Sequence, residues 1–269
     1  MSELAPATLE GWYALHHMMA IDWAAVRSLS AVERATLRSS ACDLLTGLAG
    51  SPEHGWSGAY QLVGGRADIL FVHFRATLDD LAHVAMRIRR SNAGGVLRLT
   101  YDYTSVTEAG LYHATAEAAA QAKPLSKEYE QLLESAAAAE RASVHIQTRL
   151  FPRVPDGMRY ISFYPMTKRR EHPDNWYSLP IAERSRLMGE HGLTGRRYAG
   201  RVFQVITGST GLDDWEWGVT LFARDPLEFK RIVTEMRYDE ASAKYGEFGE
   251  FFTGVQLSPA ELGALFEID

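Results

Sequence analysis

Two stretches of the chain, SLSAVERATL at 28–37 and SLPIAERSRL at 178–187, share one pattern at an offset of 150 residues. Ser-Leu, Glu-Arg and a final Leu recur at matching positions in both stretches. Because self-similarity at a fixed offset is the mark of a repeated structural unit, the two stretches indicate an internal duplication. The duplication organises the prediction for the rest of the 269 residues.

The elements around the first copy follow the order strand, helix, strand, strand, helix, strand. Segments rich in aromatic and branched residues predict the strands, and apolar spacing predicts the helices. Thr77 is a plausible N-cap, since acidic residues follow it in the first turn. The predicted strands are 12–16, 60–64, 69–74 and 97–107, and the predicted helices are 31–48 and 77–89.

The same order follows the second copy, and two β-α-β-β-α-β units are two ferredoxin-like halves. The predicted strands are 160–164, 202–207, 216–222 and one near 249–254, and the helices are 181–191 and one opened by Asp225-Pro226. Each sheet has one face covered by helices, so the two can pack through their other faces. We therefore expect an α+β fold in which tandem ferredoxin-like repeats form a dimeric-type α+β barrel within one subunit.

The duplication also suggests boundaries along the chain. Residues 1–112 form the predicted N-terminal half and residues 143–254 the C-terminal half. Between them, residues 113–142 are rich in alanine, which favours a helical connector over a flexible linker. Residues 255–269 form a tail in which Ser258-Pro259 is typical of the start of a short helix.

Composition excludes several classes of protein. The chain carries 28 Lys+Arg against 34 Asp+Glu, a net charge of −6, so neither nucleic acid nor an anionic membrane is an expected partner. Cys42 is the only cysteine, which excludes disulfides within the chain and cysteine-rich metal sites. The acidic start of the chain lacks the pattern of a signal peptide, and the apolar runs are too short to span a bilayer. A cytoplasmic protein is expected.

The residues suited to chemistry concentrate in the C-terminal half. Polar and aromatic side chains are dense at 163–170, 174–177, 191–196 and 204–209, and the N-terminal half has no comparable stretch. The nucleophile elbow, the Walker A loop, the H-E-x-x-H zinc motif and the dinucleotide-binding glycine motif are all absent from the sequence. The candidate site is therefore expected in the C-terminal half, outside those motif classes.

Single residues in these stretches leave alternatives open. His191 ends the predicted helix just before Gly192, a candidate for a left-handed C′ residue, so it could simply favour the negative helix end. It could equally be the one imidazole that haem iron needs. Tyr164 is either a half-buried core tyrosine or an oxidisable phenol. Lys168 and Arg149 are either surface charges or groups that bind an anion such as a porphyrin carboxylate.

Taken together, the longer runs resemble the coproheme decarboxylases of the chlorite dismutase-like superfamily. The similarity extends over nearly the whole chain and is densest from 149 to 254. The spacing is specific, with 27 residues from Tyr164 to His191 and 13 from His191 to Gln204. The runs that carry it are YPMTKRR at 164–170, DNWY at 174–177, HGLTGRRYAG at 191–200, EWGVTLF at 216–222 and EMRYDE at 235–240.

The resemblance implies a function. It implies binding of iron coproporphyrin III and its conversion to haem b, with hydrogen peroxide as oxidant and two propionates becoming vinyl groups. His191 is then the axial iron ligand. Tyr164 is the catalytic tyrosine, whose radical takes hydrogen from the propionate β-carbon. The resemblance also implies a homopentamer and a transient contact with the coproporphyrin ferrochelatase.

Further residues match binding positions of the family. Gln204 matches the distal position, where true chlorite dismutases carry an arginine, so chlorite chemistry is expected to be poor. The alternatives are a chlorite dismutase or haem peroxidase, and a haem-binding or haem-delivery protein without catalysis. The remaining matches to substrate-binding positions are Arg149, Pro165, Met166, Thr167, Lys168 and Ser242.

Overall fold

The computed structural model describes residues 4–50 and 53–267. Residues 1–3 belong to the acidic start that argues against a signal peptide, and they lie outside the described ranges. Residues 51–52 and residues 268–269, at the end of the predicted tail, lie outside them as well. Within the described ranges, no helix has both the length and the apolar character needed to cross a bilayer.

The described residues form nine strands and ten α-helices. The strands are β1 (Thr8–Ile21), β2 (Gly55–Leu62), β3 (Ile69–Arg75), β4 (Leu97–Gly110), β5 (Tyr160–Lys168), β6 (Val202–Gly208), β7 (Trp217–Ala223), β8 (Gly246–Phe248) and β9 (Phe252–Leu257). The helices are α1 (Trp23–Ser28), α2 (Ala31–Leu48), α3 (Leu78–Arg90), α4 (Tyr112–Gln121), α5 (Lys127–Arg141), α6 (Val144–Leu150), α7 (Ile181–Arg196), α8 (Leu227–Met236), α9 (Glu240–Ala243) and α10 (Pro259–Ala264).

Local capping explains why several predicted helix starts are correct. The predicted helix 31–48 is α2, which begins with a capping box between Ser30 and Glu33. Thr77 caps α3 as predicted, because its hydroxyl accepts a hydrogen bond from the backbone N–H of Asp80 at 3.1 Å. Ser258 starts α10 with a second capping box, so the predicted helix in the tail is also confirmed.

The strand order repeats a single pattern. Along the described sheet the order is β7-β6-β4-β1-β3-β2-β9-β5-β8, and β7 also pairs with β5. The run β4-β1-β3-β2 is the order of a ferredoxin-like half, and the extra pairing gives the second copy the same order, β9-β5-β7-β6. Pairs such as β1 with β3 and β6 with β7 are antiparallel. The predicted α+β class with repeated ferredoxin-like strand order is confirmed.

Two predicted segments have different boundaries in the structure. The strand expected near 249–254 is β9, which begins at Phe252, and the short strand β8 precedes it. The alanine-rich segment is divided into α4 and α5 because Pro124 lies between them, and proline cannot continue a helix.

The chain divides into two compact units, neither of them continuous in sequence. The first contains the chain up to Gly11 together with Thr107–Met158 and Tyr164–Glu250. The second contains Trp12–Val106, Arg159–Phe163 and the chain from Phe251 onward. The second unit has an apolar core in which side chains of α2, α3 and α10 pack on one face of β1 and β3.

The second unit also buries three histidines, which makes its stability sensitive to acid. Burial, followed by the neighbouring His17, lowers the pKa of His16 from 6.5 to about 3. Burial lowers the pKa of His17 to about 4, with Asp102 opposing the shift and Arg89 adding to it. Burial also holds the pKa of His73 well below 6.5. All three are therefore neutral in the folded protein at neutral pH.

We expect this unit to lose stability as pH falls below 6.5. Between pH 6.5 and about 4 the unfolded chain binds protons that the folded chain excludes, so the free energy of unfolding decreases with falling pH. Three protons correspond to at most about 4 kcal/mol per pH unit. Urea denaturation at pH 7, 6 and 5 measures this slope. A His16→Phe variant should reduce the slope by about one proton, whereas the exposed control His83→Gln should not change it. An unchanged slope in His16→Phe would contradict the conclusion that burial keeps His16 neutral in the folded protein.

Candidate functional site

The two copies of the repeat differ at the position of His191. Helices α2 and α7 begin at residues 31 and 181, so the offset of 150 holds in the structure. At that offset Ala41 corresponds to His191, and Ala41 is fully buried in the apolar core of the second unit. The side chain of His191 is instead 26% exposed. A packed core in the first copy is thus matched by an accessible polar side chain in the second.

His191 is held by a partly buried carboxylate that follows α8. Its Nδ1 lies 3.0 Å from Oδ2 of Asp239. Burial raises the pKa of Asp239, but the hydrogen bonds from His191 and Ser242 lower it overall, so the carboxylate is ionised. An ionised carboxylate only accepts hydrogen bonds, so the proton of the imidazole is on Nδ1. In the neutral imidazole this tautomer leaves the lone pair on Nε2.

The prediction that α7 ends at His191 is wrong. The helix continues through Gly192 to Arg196, and Gly192 does not adopt a positive φ. The reason is tertiary, because α7 packs along α4 and buries Leu187 and Thr194, one on either side of His191. His191 is thus in the body of a helix, where its backbone is fixed, and not at a frayed end.

Ser242 belongs to the same cluster. Its backbone N–H donates to Oδ1 of Asp239 at 2.9 Å, and its hydroxyl donates to Oδ2 at 3.2 Å. These bonds cap α9 and fix the carboxylate that holds His191. The structure thereby brings Ser242 and His191 together through Asp239.

Tyr164 lies on β5 and is almost entirely buried, with 4% of its surface exposed. Burial raises the pKa of its phenol, and the nearby Arg237 only partly opposes this shift. The phenol is therefore protonated over the whole working pH range. Its ring lies 6.1 Å from that of Phe248, and the Arg237 guanidinium lies 3.7 Å from the centre of the Phe248 ring.

The rest of β5 carries four more of the predicted binding residues. Successive side chains of a strand alternate between faces, so Met166 and Lys168 share the face of Tyr164. The carbonyl of Pro165 accepts from the backbone N–H of Gly249 at 2.9 Å. The hydroxyl of Thr167 donates to Glu216. The strand is thus held firmly along both edges.

Lys168 is a buried cation, with 7% of its surface exposed. Its Nζ donates to the carbonyl of Ala241 at 2.6 Å and lies 4.5 Å from the centre of the Trp176 ring. Burial lowers the pKa of Lys168 from 10.5 to about 8, although Asp239 and Glu216 oppose the shift. The ammonium therefore needs nearby negative charge, which a substrate carboxylate can supply.

Gln204 lies on β6 opposite Leu221 of β7 and is half-buried. A Cβ atom placed on Gly195 would lie 3.9 Å from Oε1 of Gln204 and 3.4 Å from Cε of Met236. Gly195 is one helical turn beyond His191, on the same face of α7. Glycine at 195 therefore lets Met236 and the Gln204 amide approach the turn of α7 that follows the imidazole.

Arg149 lies at the end of α6, a helix that the sequence analysis did not identify. Burial lowers the pKa of its guanidinium, and the carboxylates of Glu108 and Glu140 oppose that effect. Glu108 also accepts a hydrogen bond from Nε1 of Trp217 at 2.8 Å. A Cβ atom on Gly208 would lie 2.2 Å from that carboxylate, so a larger residue at this position would displace the Glu108 side chain. The structure places Arg149 beside this carboxylate cluster.

The sequence analysis missed three residues that organise the site: Asp239, Glu216 and Arg237. All three fall inside runs that carry the family resemblance, but no spacing along a single element connects them to His191, Lys168 or Tyr164. Their partners are 48 residues away along the chain in the cases of Asp239 with His191 and Glu216 with Lys168. Only the folded chain brings them together.

The side chains around His191 suit a haem iron. Among the residues described, no three His, Cys, Asp or Glu side chains gather as a metal site. A haem iron needs a single axial ligand from the protein, and a carboxylate on the other ring nitrogen is the usual support for a ligating histidine. His191 with Asp239 meets both conditions. The residues therefore fit an iron porphyrin.

All the predicted site residues lie in the first compact unit. Arg149 comes from Thr107–Met158, and the others come from Tyr164–Glu250. The site is thus contained in one unit and depends on the second copy of the repeat together with α6.

Comparison with known proteins identifies relatives of this chain. The family model for chlorite dismutase matches residues 34–257. Coproheme decarboxylases from two strains of Thermus thermophilus are 45% identical over 263 residues, which cover 96% of this chain and 94% of theirs. A solved haem-binding protein from Thermus thermophilus has a TM-score of 0.84 at 42% identity, covering 99% of this chain and 98% of that one.

A more distant structure shares the fold. A mutant chlorite dismutase from Candidatus Nitrospira defluvii has a TM-score of 0.71 at 20% identity, covering 96% of each chain. The family model spans most of the sequence, and the relatives match it nearly end to end. The chain belongs to the chlorite dismutase family.

Proposed function

We propose that this protein is a coproheme decarboxylase, which converts two propionates of iron coproporphyrin III to vinyl groups and produces haem b. The observation that carries the proposal is the His191–Asp239 pair, an imidazole prepared to ligate iron, in the same unit as the buried phenol of Tyr164. The 45% identity to coproheme decarboxylases supports this substrate within the family.

His191 is the axial ligand in this proposal. The hydrogen bond from Nδ1 to Asp239 orients the ring and makes Nε2 a stronger donor to iron. Ser242 contributes by fixing Asp239 through two hydrogen bonds. When bound, the iron porphyrin supplies the redox chemistry with hydrogen peroxide.

Tyr164 is the residue that takes hydrogen from the substrate. Each propionate loses CO2, one proton and two electrons on becoming a vinyl group. One hydrogen peroxide takes up those two electrons with that proton and one proton from solvent, and it becomes two waters. The phenol of Tyr164 is held neutral by burial, so it can lose a hydrogen atom and, as a radical, remove one from the β-carbon. A serine or a lysine could not serve this role.

The substrate's carboxylates require cations and hydrogen-bond donors. Lys168 provides a buried ammonium, and charge-assisted hydrogen bonds to carboxylates are the strong ones. Met166, on the same face of β5, contacts the porphyrin in this proposal, together with the neighbouring Pro165 and Thr167. Arg149 is the second cation, brought by α6.

Gln204 favours decarboxylation over chlorite chemistry. Its amide is neutral, so it lacks the positive charge that an arginine at the distal position offers to an oxyanion. The proposal places Gln204 on the distal side of the porphyrin, where it leaves access for peroxide.

The assembly and setting are part of the same proposal. We propose a homopentamer in the cytoplasm that receives its iron porphyrin by transient contact with the coproporphyrin ferrochelatase. Analytical ultracentrifugation of the purified protein measures the subunit number directly.

Stepwise oxidation of the loaded protein tests the function. Purified protein is loaded with iron coproporphyrin III, hydrogen peroxide is added in increments, and the porphyrin is followed by mass spectrometry. We expect successive loss of two carboxyl groups, about two peroxides per haem b. An intact porphyrin that stays bound would support a haem carrier, and rapid oxygen release from added chlorite would support a chlorite dismutase.

A further inference from the structure

The proposed function assigns no role to one buried carboxylate, which lies at the start of β7. Glu216 directly precedes β7, and its side chain is only 5% exposed. Burial raises the pKa of Glu216, but hydrogen bonds from Lys168, Thr167, Tyr177 and Arg170 lower it overall. The carboxylate is therefore ionised although it is buried, and four donors from two parts of the chain satisfy it.

The donors show which segment the carboxylate fixes. Oε2 accepts from the hydroxyl of Thr167 and from the backbone N–H of Lys168, the latter at 3.0 Å. The backbone N–H of Glu216 itself donates to the carbonyl of Met166 at 3.2 Å. Three consecutive residues at the end of β5 are thus bonded to one residue.

The other carboxylate oxygen secures the loop that follows β5. Oε1 accepts from the guanidinium of Arg170, which lies 5.6 Å from the centre of the Tyr177 ring. The adjacent Trp176 provides the ring under the Lys168 ammonium. Glu216 therefore fixes both the backbone of Lys168 and the loop that carries the aromatic surface for its side chain.

We propose that Glu216 is a positioning residue, whose buried carboxylate holds the end of β5 so that the Lys168 ammonium meets a carboxylate of the substrate. This inference rests on the proposed function, since it assigns Glu216 a role in binding iron coproporphyrin III. A residue that only stabilised the fold would not change the charge state of Lys168.

The charges around Lys168 predict how its pKa changes when Glu216 is neutralised. Two carboxylates face it, Glu216 from the start of β7 and Asp239 from the segment before α9, and both oppose the effect of burial on its pKa of about 8. Arg170 pairs with Glu216, and His191 pairs with Asp239. Neutralising Glu216 removes one of the two favourable charges, so Lys168 should lose its proton at lower pH.

The test compares Glu216→Gln with Glu247→Gln. Glu247 is a matched control because it lies opposite Thr167 on β8 and its carboxylate pairs with the exposed Arg169. The affinity for iron coproporphyrin III is measured from pH 6 to 9. We expect the alkaline loss of affinity to move down by about one pH unit in Glu216→Gln, and the affinity at pH 8 to fall about fivefold. KM should rise more than kcat falls. Glu247→Gln should match the wild type.

Two further measurements separate an effect of Glu216 on the Lys168 pKa from an effect on the position of Lys168. The Lys168 pKa can be followed without substrate by 13C NMR of the protein with labelled lysine, assigned with Lys168→Arg. A Glu216→Asp variant keeps the negative charge on a shorter side chain. It should weaken the affinity for iron coproporphyrin III without changing the pH at which that affinity is lost. If Glu216→Gln does not fold, this variant carries the test.

The results distinguish the two proposals. A wild type that does not bind iron coproporphyrin III overturns the proposed function. A wild type that binds it, with Glu216→Gln identical to Glu247→Gln in affinity and Lys168 pKa, overturns the role of Glu216 alone.

Discussion

Tyr164→Phe should bind iron coproporphyrin III with nearly unchanged affinity and lose decarboxylation by more than about a hundredfold. That loss corresponds to about 2.7 kcal/mol in the activation free energy. The reason is chemical, because phenylalanine keeps the ring on β5 but has no O–H bond from which a radical can form. Single-turnover assays with hydrogen peroxide, with product measured by mass spectrometry, provide the rate.

A control separates this effect from the loss of any buried hydroxyl. Tyr198 is 3% exposed, and its hydroxyl donates to Glu235 at 2.7 Å, so Tyr198→Phe removes a comparable group after the end of α7. It should cost about 1 kcal/mol of stability and leave turnover intact. Undiminished turnover in Tyr164→Phe would exclude Tyr164 as the hydrogen acceptor, and the haem-carrier alternative would gain support if neither protein turned over.

His191→Ala should remove the axial ligand and change the absorption spectrum of the bound iron porphyrin. We expect affinity to fall at least about tenfold, since even loss of an outer partner of a ligating histidine costs about 10–100-fold. The deletion leaves a space the size of an imidazole next to Gly195. Added imidazole should therefore restore the wild-type spectrum, and titration followed by absorption and resonance Raman spectroscopy measures it.

The control for this variant is another histidine in the same compact unit. His113 is on α4, its side chain is 82% exposed, and its Nε2 lies 3.3 Å from the carboxylate of Glu117. His113→Ala should leave spectrum and affinity unchanged. A wild-type spectrum in His191→Ala without added imidazole would show that another group ligates the iron.

Much of the fold was predictable because its elements are specified locally. Helix α2 begins and ends where its apolar spacing predicts. Thr77 and Ser258 cap the helices that follow them, because short polar side chains favour the N-cap position. The strands of both copies were found in order, although their ends lie up to several residues away. The boundary of α7 was not predictable, because packing on α4 carries it past two glycines.

The candidate site was predictable only in part. Resemblance to a family identified His191, Tyr164 and Lys168 as candidates, but residue pattern alone left each with an ordinary structural explanation. The residues that hold His191 and Lys168 in place, Asp239 and Glu216, are distant from them in sequence. Hydrogen bonding between distant segments leaves no periodic signal in the sequence.

The sequence by itself determined the duplication, the α+β class and the half of the chain where chemistry concentrates, because repeats and hydrophobic periodicity are local properties. Tertiary structure alone decided the protonation states on which the proposed function depends. Burial keeps Tyr164 neutral and lowers the pKa of Lys168, and Asp239 fixes the proton of His191 on Nδ1. These properties depend on the solvent excluded and the charges gathered around each group, and only the folded chain sets both.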